Sequence, residues 1–258
     1  MNEYALITGA SRGIGKSMAL LLAQAGYHLL LVSRSAAELQ QLSVLIQEQY
    51  KVKVVYLAVD LSVGNTTHQI AEWCNHQTST LSVLINNAGY GIWGNFDQLQ
   101  LSDQLDMLQL NINAVIELTH HLLPVLKQQK KAYILNVSST AAYQAVPTLA
   151  LYSASKSFIL YYSRALRYEL KSFSVSVSCL SPGPTATGFA SRAGMQALDH
   201  LAEKFNMTPE IVAKAGLKGM FNKKAEIIPG FLNLLAVYSV RFVPKSLTEW
   251  VTANLYRL

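Results

Sequence analysis

Tyr4-Ala5-Leu6-Ile7-Thr8-Gly9-Ala10-Ser11-Arg12-Gly13-Ile14-Gly15 is the stretch whose reading decides the fold. Tyr4 to Thr8 read as a short buried strand, and Gly9 to Gly15 as a turn carrying three glycines. Lys16 to Ala25, stopped by Gly26, reads as an apolar helix. Strand, turn and helix in this order set backbone N–H groups at a helix N-terminus, where a pyrophosphate can rest and where side chains would block its approach. The spacing G-x-x-x-G-x-G departs from the common G-x-G-x-x-G. Turn chemistry explains such a turn equally well by itself; the flanking strand and helix carry the dinucleotide reading.

Outward from this stretch, strands and helices alternate. His28 to Val32 is a second apolar run, ending in Ser33-Arg34. An acid at that end would accept from a ribose 2′-hydroxyl, whereas a cation would meet a 2′-phosphate. Arg34, with Arg12 reaching from the glycine turn, suits a phosphate dianion and predicts NADP(H) over NAD(H); the alternative is that both guanidiniums are simply solvated. Ala36 to Tyr50 reads as an amphipathic helix and Val52 to Val59 as a third strand, ending in Asp60-Leu61. Asp60 is placed to accept from an adenine amino group or, equally, to open the next segment as an N-cap. A polar helix from Thr66 to about Gln77 precedes a fourth strand, Leu81 to Ile85, which runs into Asn86-Asn87-Ala88-Gly89. Two amides there suit a tight turn beside a ligand, with the Asn side chains tying strand ends together.

Composition bounds the answer. Of 258 residues, 51% are hydrophobic and 14% charged, which excludes disorder and suits one domain with a sheet covered on both faces. The net charge of +6 forms no dense Lys/Arg patch, so nucleic acid is not an expected partner. Cys74 and Cys179 lack metal-ligand spacing; they indicate neither a metal site nor a disulfide framework, and read as free thiols in a reducing compartment. A strand beginning at Tyr4 leaves no room for a signal peptide, and no run reaches the ~18 apolar residues of a membrane span. The expected location is the cytoplasm.

Further along, Tyr152-Ser153-Ala154-Ser155-Lys156 opens a helix that the apolar residues Phe158, Ile159, Tyr162, Leu166 and Leu170 extend to about Phe173. Tyr152 and Lys156 then sit one turn apart on one face. A free phenol, with a pKa of about 10, exchanges protons poorly near neutrality unless a cation stabilises its phenolate. Lys156 is placed to be that cation, and Ser139, after the apolar run Tyr133 to Val137, to hold a substrate oxygen. Tyr-x-x-x-Lys alone is as well explained by an ordinary helix edge.

With Gly9 to Gly15, Asn86 to Gly89, and Tyr152 to Lys156 with Ser139 in order, residues 4 to 190 resemble the short-chain dehydrogenase/reductase family. The resemblance implies a doubly wound α/β fold of Rossmann type, with a parallel sheet of about seven strands in the order 3-2-1-4-5-6-7. It implies hydride transfer between a nicotinamide and a carbonyl or secondary alcohol. Tyr152 would be the proton donor, Lys156 would lower its pKa and hold the ribose, and Ser139 would polarise the carbonyl. Asn111, rather than Asn113, looks like the fourth catalytic position because Thr119 follows at the family's spacing; Ser139, rather than Ser138, matches the family serine. The cofactor would meet Gly9, Ser11, Arg12, Gly13, Ile14, Gly15, Ser33, Arg34, Asp60, Leu61, Asn87, Tyr152 and Lys156. It would also meet Pro182, Gly183, Thr185 and Thr187, which resemble the family's Pro-Gly-x-x-x-Thr loop after the strand Val175 to Leu180.

Leu101 to Leu126 would be one long central helix, on which His120 and His121 read as packing or surface residues. The segment of about 188–222, with Met195, Phe205, Met207, Met220 and Phe221, would form an apolar lid over a fairly hydrophobic substrate; core packing is the alternative. Glu226 to Gly230 reads as a short edge strand. The apolar extension of about 231–258, with Phe231, Leu234, Leu235, Tyr238, Phe242, Trp250 and Tyr256 beside Arg241, Lys245 and Arg257, reads as a helix pair. A homodimer or homotetramer contact is the expected use, and a bilayer surface the other.

Overall fold

The computed structural model describes residues 3–189, 193–194 and 206–256. Strands β1 (Tyr4–Thr8), β2 (His28–Ser33), β3 (Val54–Ala58), β4 (Leu81–Asn86), β5 (Ala132–Val137), β6 (Val175–Leu180) and β7 (Glu226–Ile227) form one seven-stranded sheet. Its order is β3-β2-β1-β4-β5-β6-β7, and every pairing is parallel. The direction of winding reverses between β1 and β4, so a crevice opens at their carboxyl ends.

Helices cover both faces, and this is why the strands read as unbroken apolar runs. In β1, Ala5 and Ile7 enter the core under α1 (Gly13–Gln24) and α2 (Ala36–Tyr50). Tyr4 and Leu6 enter the opposite core, under α3 (Thr66–Gln77) and α5 (Ala114–Lys127). Leu29 and Leu31 against Leu30 and Val32 divide β2 in the same way. Each pleat position meets a helix, so no polar face survives.

Two expectations are corrected here. The central helix is not uniform: α4 (Leu101–Leu108) joins α5 through a π-helical turn, Gln109–Asn113, and Asn111 is that turn's buried residue. Apolar periodicity runs through the insertion and hides it. The second correction concerns the lid. Met195 and Phe205 lie outside the described residues, but Met220 is fully buried in the core and Phe221 stacks on Tyr27 and meets Tyr133 edge to face. Both belong to α7 (Pro209–Phe221), which packs on α1 and β5 to β7. Close approach there requires glycine: a Cβ at Gly219 would lie 2.5 Å from Ile227 Cγ1.

The last helices, α8 (Phe231–Ser239) and α9 (Lys245–Leu255), form the expected pair. Val237 is the only residue α8 buries, and Phe231, Leu232, Leu235, Phe242 and Trp250 are exposed. Arg257 lies outside the described residues. Among those residues no helix is long and apolar enough to cross a membrane. Cys74 and Cys179 are free and buried.

Candidate active site

The expected residues converge at the carboxyl edge of the sheet. After β1 the chain turns at Gly9, with φ of 64°, and a Cβ on Gly15 would stand 2.3 Å from Gly9 O and 2.6 Å from Asn87 Nδ2. Asn87 occupies that space and donates Nδ2 to Thr8 O and Gly9 O at 2.9 and 3.1 Å. Thr8 Oγ1 accepts from Asn87 N and Ala88 N, both at 3.0 Å, so β1 and β4 are stitched where the crevice begins. Asn86 Nδ2 continues the stitching to Asn136 Oδ1 at 2.8 Å and Thr119 Oγ1 at 3.1 Å. Gly15→Ala cannot be absorbed by rotating a side chain, because the first obstacle is backbone. We expect it to lose nucleotide binding and to lower the unfolding midpoint by several degrees, as a strained core position does; a thermal melt within one degree of the parent would contradict the packing.

Helix α1 starts at Gly13, earlier than the apolar periodicity indicates, because the glycine turn itself supplies its first turn. No side chain caps it: Arg12 stands at the N-cap without a capping bond, and no acid lies in the first turn. The first-turn N–H groups at Gly13, Ile14 and Gly15 are therefore presented to an external acceptor, which favours an anion. Ser11 borders the turn, partly buried, while Ile14 sends its side chain to the core. Beside it, buried Ser33 Oγ at the end of β2 has no hydrogen-bond partner among the described residues. These features fit a dinucleotide.

Both arginines are engaged. Arg12 Nη2 lies 2.7 Å from Glu38 Oε1, and Arg34 Nη1 3.6 Å from Asp60 Oδ2. Exposed pairs of this kind contribute about 0–1 kcal/mol, so a phosphate dianion can displace them. Asp60 Oδ1 accepts from Ser62 N and Ser62 Oγ at 2.9 and 2.7 Å, which is the turn-opening alternative. Burial opposes its ionisation, but the Ser62 bonds and Arg34 outweigh it and hold the carboxyl below its usual range. Leu61 is buried in the core, leaving only its main chain for a ligand.

The catalytic candidates meet across β5 and α6 (Ala150–Glu169). Ser138 Oγ donates to Lys156 O at 2.7 Å, a structural bond, whereas the Ser139 hydroxyl is hydrogen-bonded to that of Tyr152 and also accepts from Ala141 N at 3.1 Å. Asn111 Nδ2 donates to Tyr90 O at 2.9 Å and Ser155 Oγ at 3.2 Å, and its Oδ1 accepts from Tyr90 N. The nearby Asn113 instead donates its side-chain Nδ2 to Gln109 Oε1 at the surface.

Electrostatics depart from expectation in one respect. Tyr152 and Lys156 are both buried, one turn apart, but Lys156 donates Nζ to Val137 O at 3.1 Å and stands 5.8 Å from the Tyr152 ring centroid. Burial raises the phenol to about 12 against the lowering pull of Ser139, and burial lowers the ammonium to about 8. Desolvation disfavours the charged form of each, and at this separation the cation does not reverse it.

The loop after β6 completes the rim. Pro182 O accepts from Thr140 N at 2.9 Å, and Thr187 covers Gly13 so closely that a Cβ there would lie 3.0 Å from its Cβ. Thr185 Oγ1 donates to Gly183 O at 2.9 Å. At Gly183 the side a Cβ would occupy is filled by Asn233 of α8, whose amide it would meet at 2.5 Å. Sequence reasoning passed over Phe189, whose ring centroid is 5.4 Å from that of Tyr152, and Ser155, fully buried inside the Tyr-to-Lys stretch. A serine in phase with the apolar face of α6 was the available signal for the second; nothing local marked the first.

Comparisons with known proteins point the same way. A family model described as short chain dehydrogenase matches residues 3–197. The chain is 36% identical over 192 residues, 73% of its length, to hydroxysteroid dehydrogenase-like protein 1 of Gallus gallus. It is 36% identical over 191 residues, 72% of its length, to very-long-chain 3-oxoacyl-CoA reductase of Anas platyrhynchos. These stretches cover 57% and 61% of the two relatives, so the chain spans about three fifths of the length of the curated proteins it matches. Among solved structures, a short-chain dehydrogenase from Sphingobium yanoikuyae in complex with NADPH superposes with a TM-score of 0.83 at 27% identity, over 93% of each chain.

Proposed function

The chain belongs to the short-chain dehydrogenase family, and we propose that it is an NADP(H)-dependent oxidoreductase that reduces a fairly hydrophobic carbonyl substrate to a secondary alcohol. The observation that carries this reading is the partly buried Ser139 hydroxyl paired with that of buried Tyr152, with buried Lys156 one turn along α6, at the crevice where the uncapped N-terminus of α1 begins.

When bound, the nicotinamide supplies the hydride; the remaining work falls to the chain. Ser139 and Tyr152 direct two hydroxyls at one point, where a carbonyl oxygen would accept from both and gather charge as it is reduced. Tyr152 then passes its proton to that oxygen. A phenol pushed to about 12 is fully protonated at neutral pH, so it is ready as an acid and unready as a base, which favours reduction. Lys156, still mostly protonated at pH 7, stabilises the phenolate left behind. The Asn111 amide is committed to Tyr90 and Ser155, so it holds the π turn against α6, and a water that restores the Tyr152 proton would bind the main chain there.

Preference for NADP(H) is supported by Arg12 and Arg34 flanking Ser33, with no acid at the end of β2. The NADPH found in the Sphingobium yanoikuyae structure is consistent with it. Titrating NADPH fluorescence and then adding a panel of ketones tests both parts of the reading. We expect binding tighter than for NADH, oxidation by at least one apolar ketone, and in Arg34→Glu a preference shifted toward NADH. Tight NADPH binding with no oxidation by any ketone would favour a nucleotide sensor without chemistry. Unchanged NADPH affinity in Arg34→Glu would remove the proposed phosphate pocket. We also propose a cytoplasmic location and a homo-oligomer through the exposed apolar residues of α8 and α9, where the sequence offers only a short basic element for a bilayer. Sedimentation at monomer mass would remove that contact.

A further inference from the structure

Two side chains from distant parts of the chain close on one backbone carbonyl beside Tyr152. Trp93, in the loop after β4, donates Nε1 to Tyr256 O at 3.1 Å; Thr148, just ahead of α6, donates Oγ1 to the same oxygen at 3.0 Å. One turn earlier, Thr252 Oγ1 lies 3.1 Å from Ala145 O. The Thr148 hydroxyl also lies 2.5 Å from Pro147 O and that of Thr252 2.9 Å from Thr248 O, so each shares its one proton. The Trp93 bond, worth about 1 kcal/mol, leads in holding the turn after α9 against the rim of the site.

Thr148 is the unusual member. Its φ is 66°, a left-handed conformation that β-branched residues seldom adopt and that costs about 1–3 kcal/mol. Its carbonyl also accepts from Gly94 N at 2.9 Å. One strained residue therefore joins the loop of Gly94 to the turn of Tyr256, four positions before Tyr152. The same Thr148 lines a small cavity of about 80 Å³ with Ile92, Phe96, Met107, Leu151 and Tyr152.

The fastening lays the Tyr256 side chain on the apolar cluster that contains Tyr152, Met107, Val146 and Leu149, with Ile92 and Phe189 beside it. Burial raises the Tyr256 phenol above its ordinary value, and Tyr256 acts electrostatically on Tyr152. Resting on the reading of this site as a carbonyl reductase, we propose that Tyr256 is a specificity-determining wall of the substrate pocket, limiting the size of the apolar group that flanks the reacting carbonyl.

Tyr256→Ala tests this cleanly, because Trp93 and Thr148 hold the main-chain oxygen and the fastening survives the substitution. The measurements are kcat/KM for acetophenone and benzophenone with NADPH, and calorimetric affinities of both ketones for the NADP⁺-loaded protein. The benzophenone-to-acetophenone ratio is expected to rise at least fivefold, with NADPH affinity unchanged within twofold. A smaller rise, or a fall, overturns the wall even if both ketones are still reduced. If the parent protein reduces neither, the affinity ratio decides the wall by the same criterion, and the reductase reading stands or falls separately on the wider ketone panel. Binding of neither ketone to either protein also overturns it.

Discussion

Tyr152→Phe is expected to lower kcat for ketone reduction by roughly 10²–10⁴-fold, the range a positioned general acid supplies, while NADPH affinity stays within about twofold. Phenylalanine keeps the ring where it packs, against Phe189 at 5.4 Å and against the space that a Cβ on Gly91 would enter. Only the hydroxyl and its bond to Ser139 are lost. The substitution therefore separates chemistry from architecture. Steady-state rates with a saturating ketone, set beside a fluorescence titration of NADPH, decide it: a variant retaining a tenth of the parent rate would mean that another group delivers the proton.

Lys156→Met should both abolish turnover and raise stability. A buried ammonium lowered from 10.5 to about 8 has its charged form disfavoured by about 3 kcal/mol in the fold. The folded-state pKa lies below the unfolded one, so between about pH 8 and 10.5 the unfolded chain binds more protons and stability rises with pH. At pH 7 the full penalty is present. Methionine fills a similar volume and forfeits the bond to Val137 O, worth about 1 kcal/mol. A net gain of roughly 1–2 kcal/mol should raise Tm by about 2–6 °C, with kcat down at least ~100-fold. The parent should also gain stability from pH 7 to 9.5 by a term the variant lacks. An unchanged or lower Tm at pH 7 would mean that the lysine is not strained where it sits, and retained activity would remove it from the mechanism.

These expectations divide along a line that the fold makes visible. The strands β1 to β6, helices α2 and α3, the glycine turn and the Tyr152–Lys156 face could all be read from the chain because each is written in a local period or a local backbone requirement. Leu29 and Leu31 against Leu30 and Val32 announce a strand covered on both faces wherever it ends up in the sheet. A tyrosine and a lysine four positions apart on a helix must share a face.

Direction of side chains was another matter. The sequence places Lys156 near Tyr152, but only the path of β5 brings Val137 O close enough to draw the ammonium toward itself. Arg12 and Arg34 are visible as cations, yet Glu38 and Asp60 become their partners through the winding of α2 and the spacing of β2 and β3. The π turn at Asn111 is silent in the pattern because one extra residue in a helical turn leaves the apolar stripe intact.

By itself, then, the chain determined most of its strands and helices and the residue types gathered at the crevice, since these follow from periodicity and from the chemistry of glycine, asparagine and tyrosine over a few positions, while the parallel winding was what the family resemblance implied. Tertiary structure alone decided which partner each polar group finds, that Met220 and Phe221 pack inside and not over the site, and that Tyr256 lies against the cluster around Tyr152. Those outcomes depend on segments far apart in sequence meeting in space, and no local pattern encodes such a meeting.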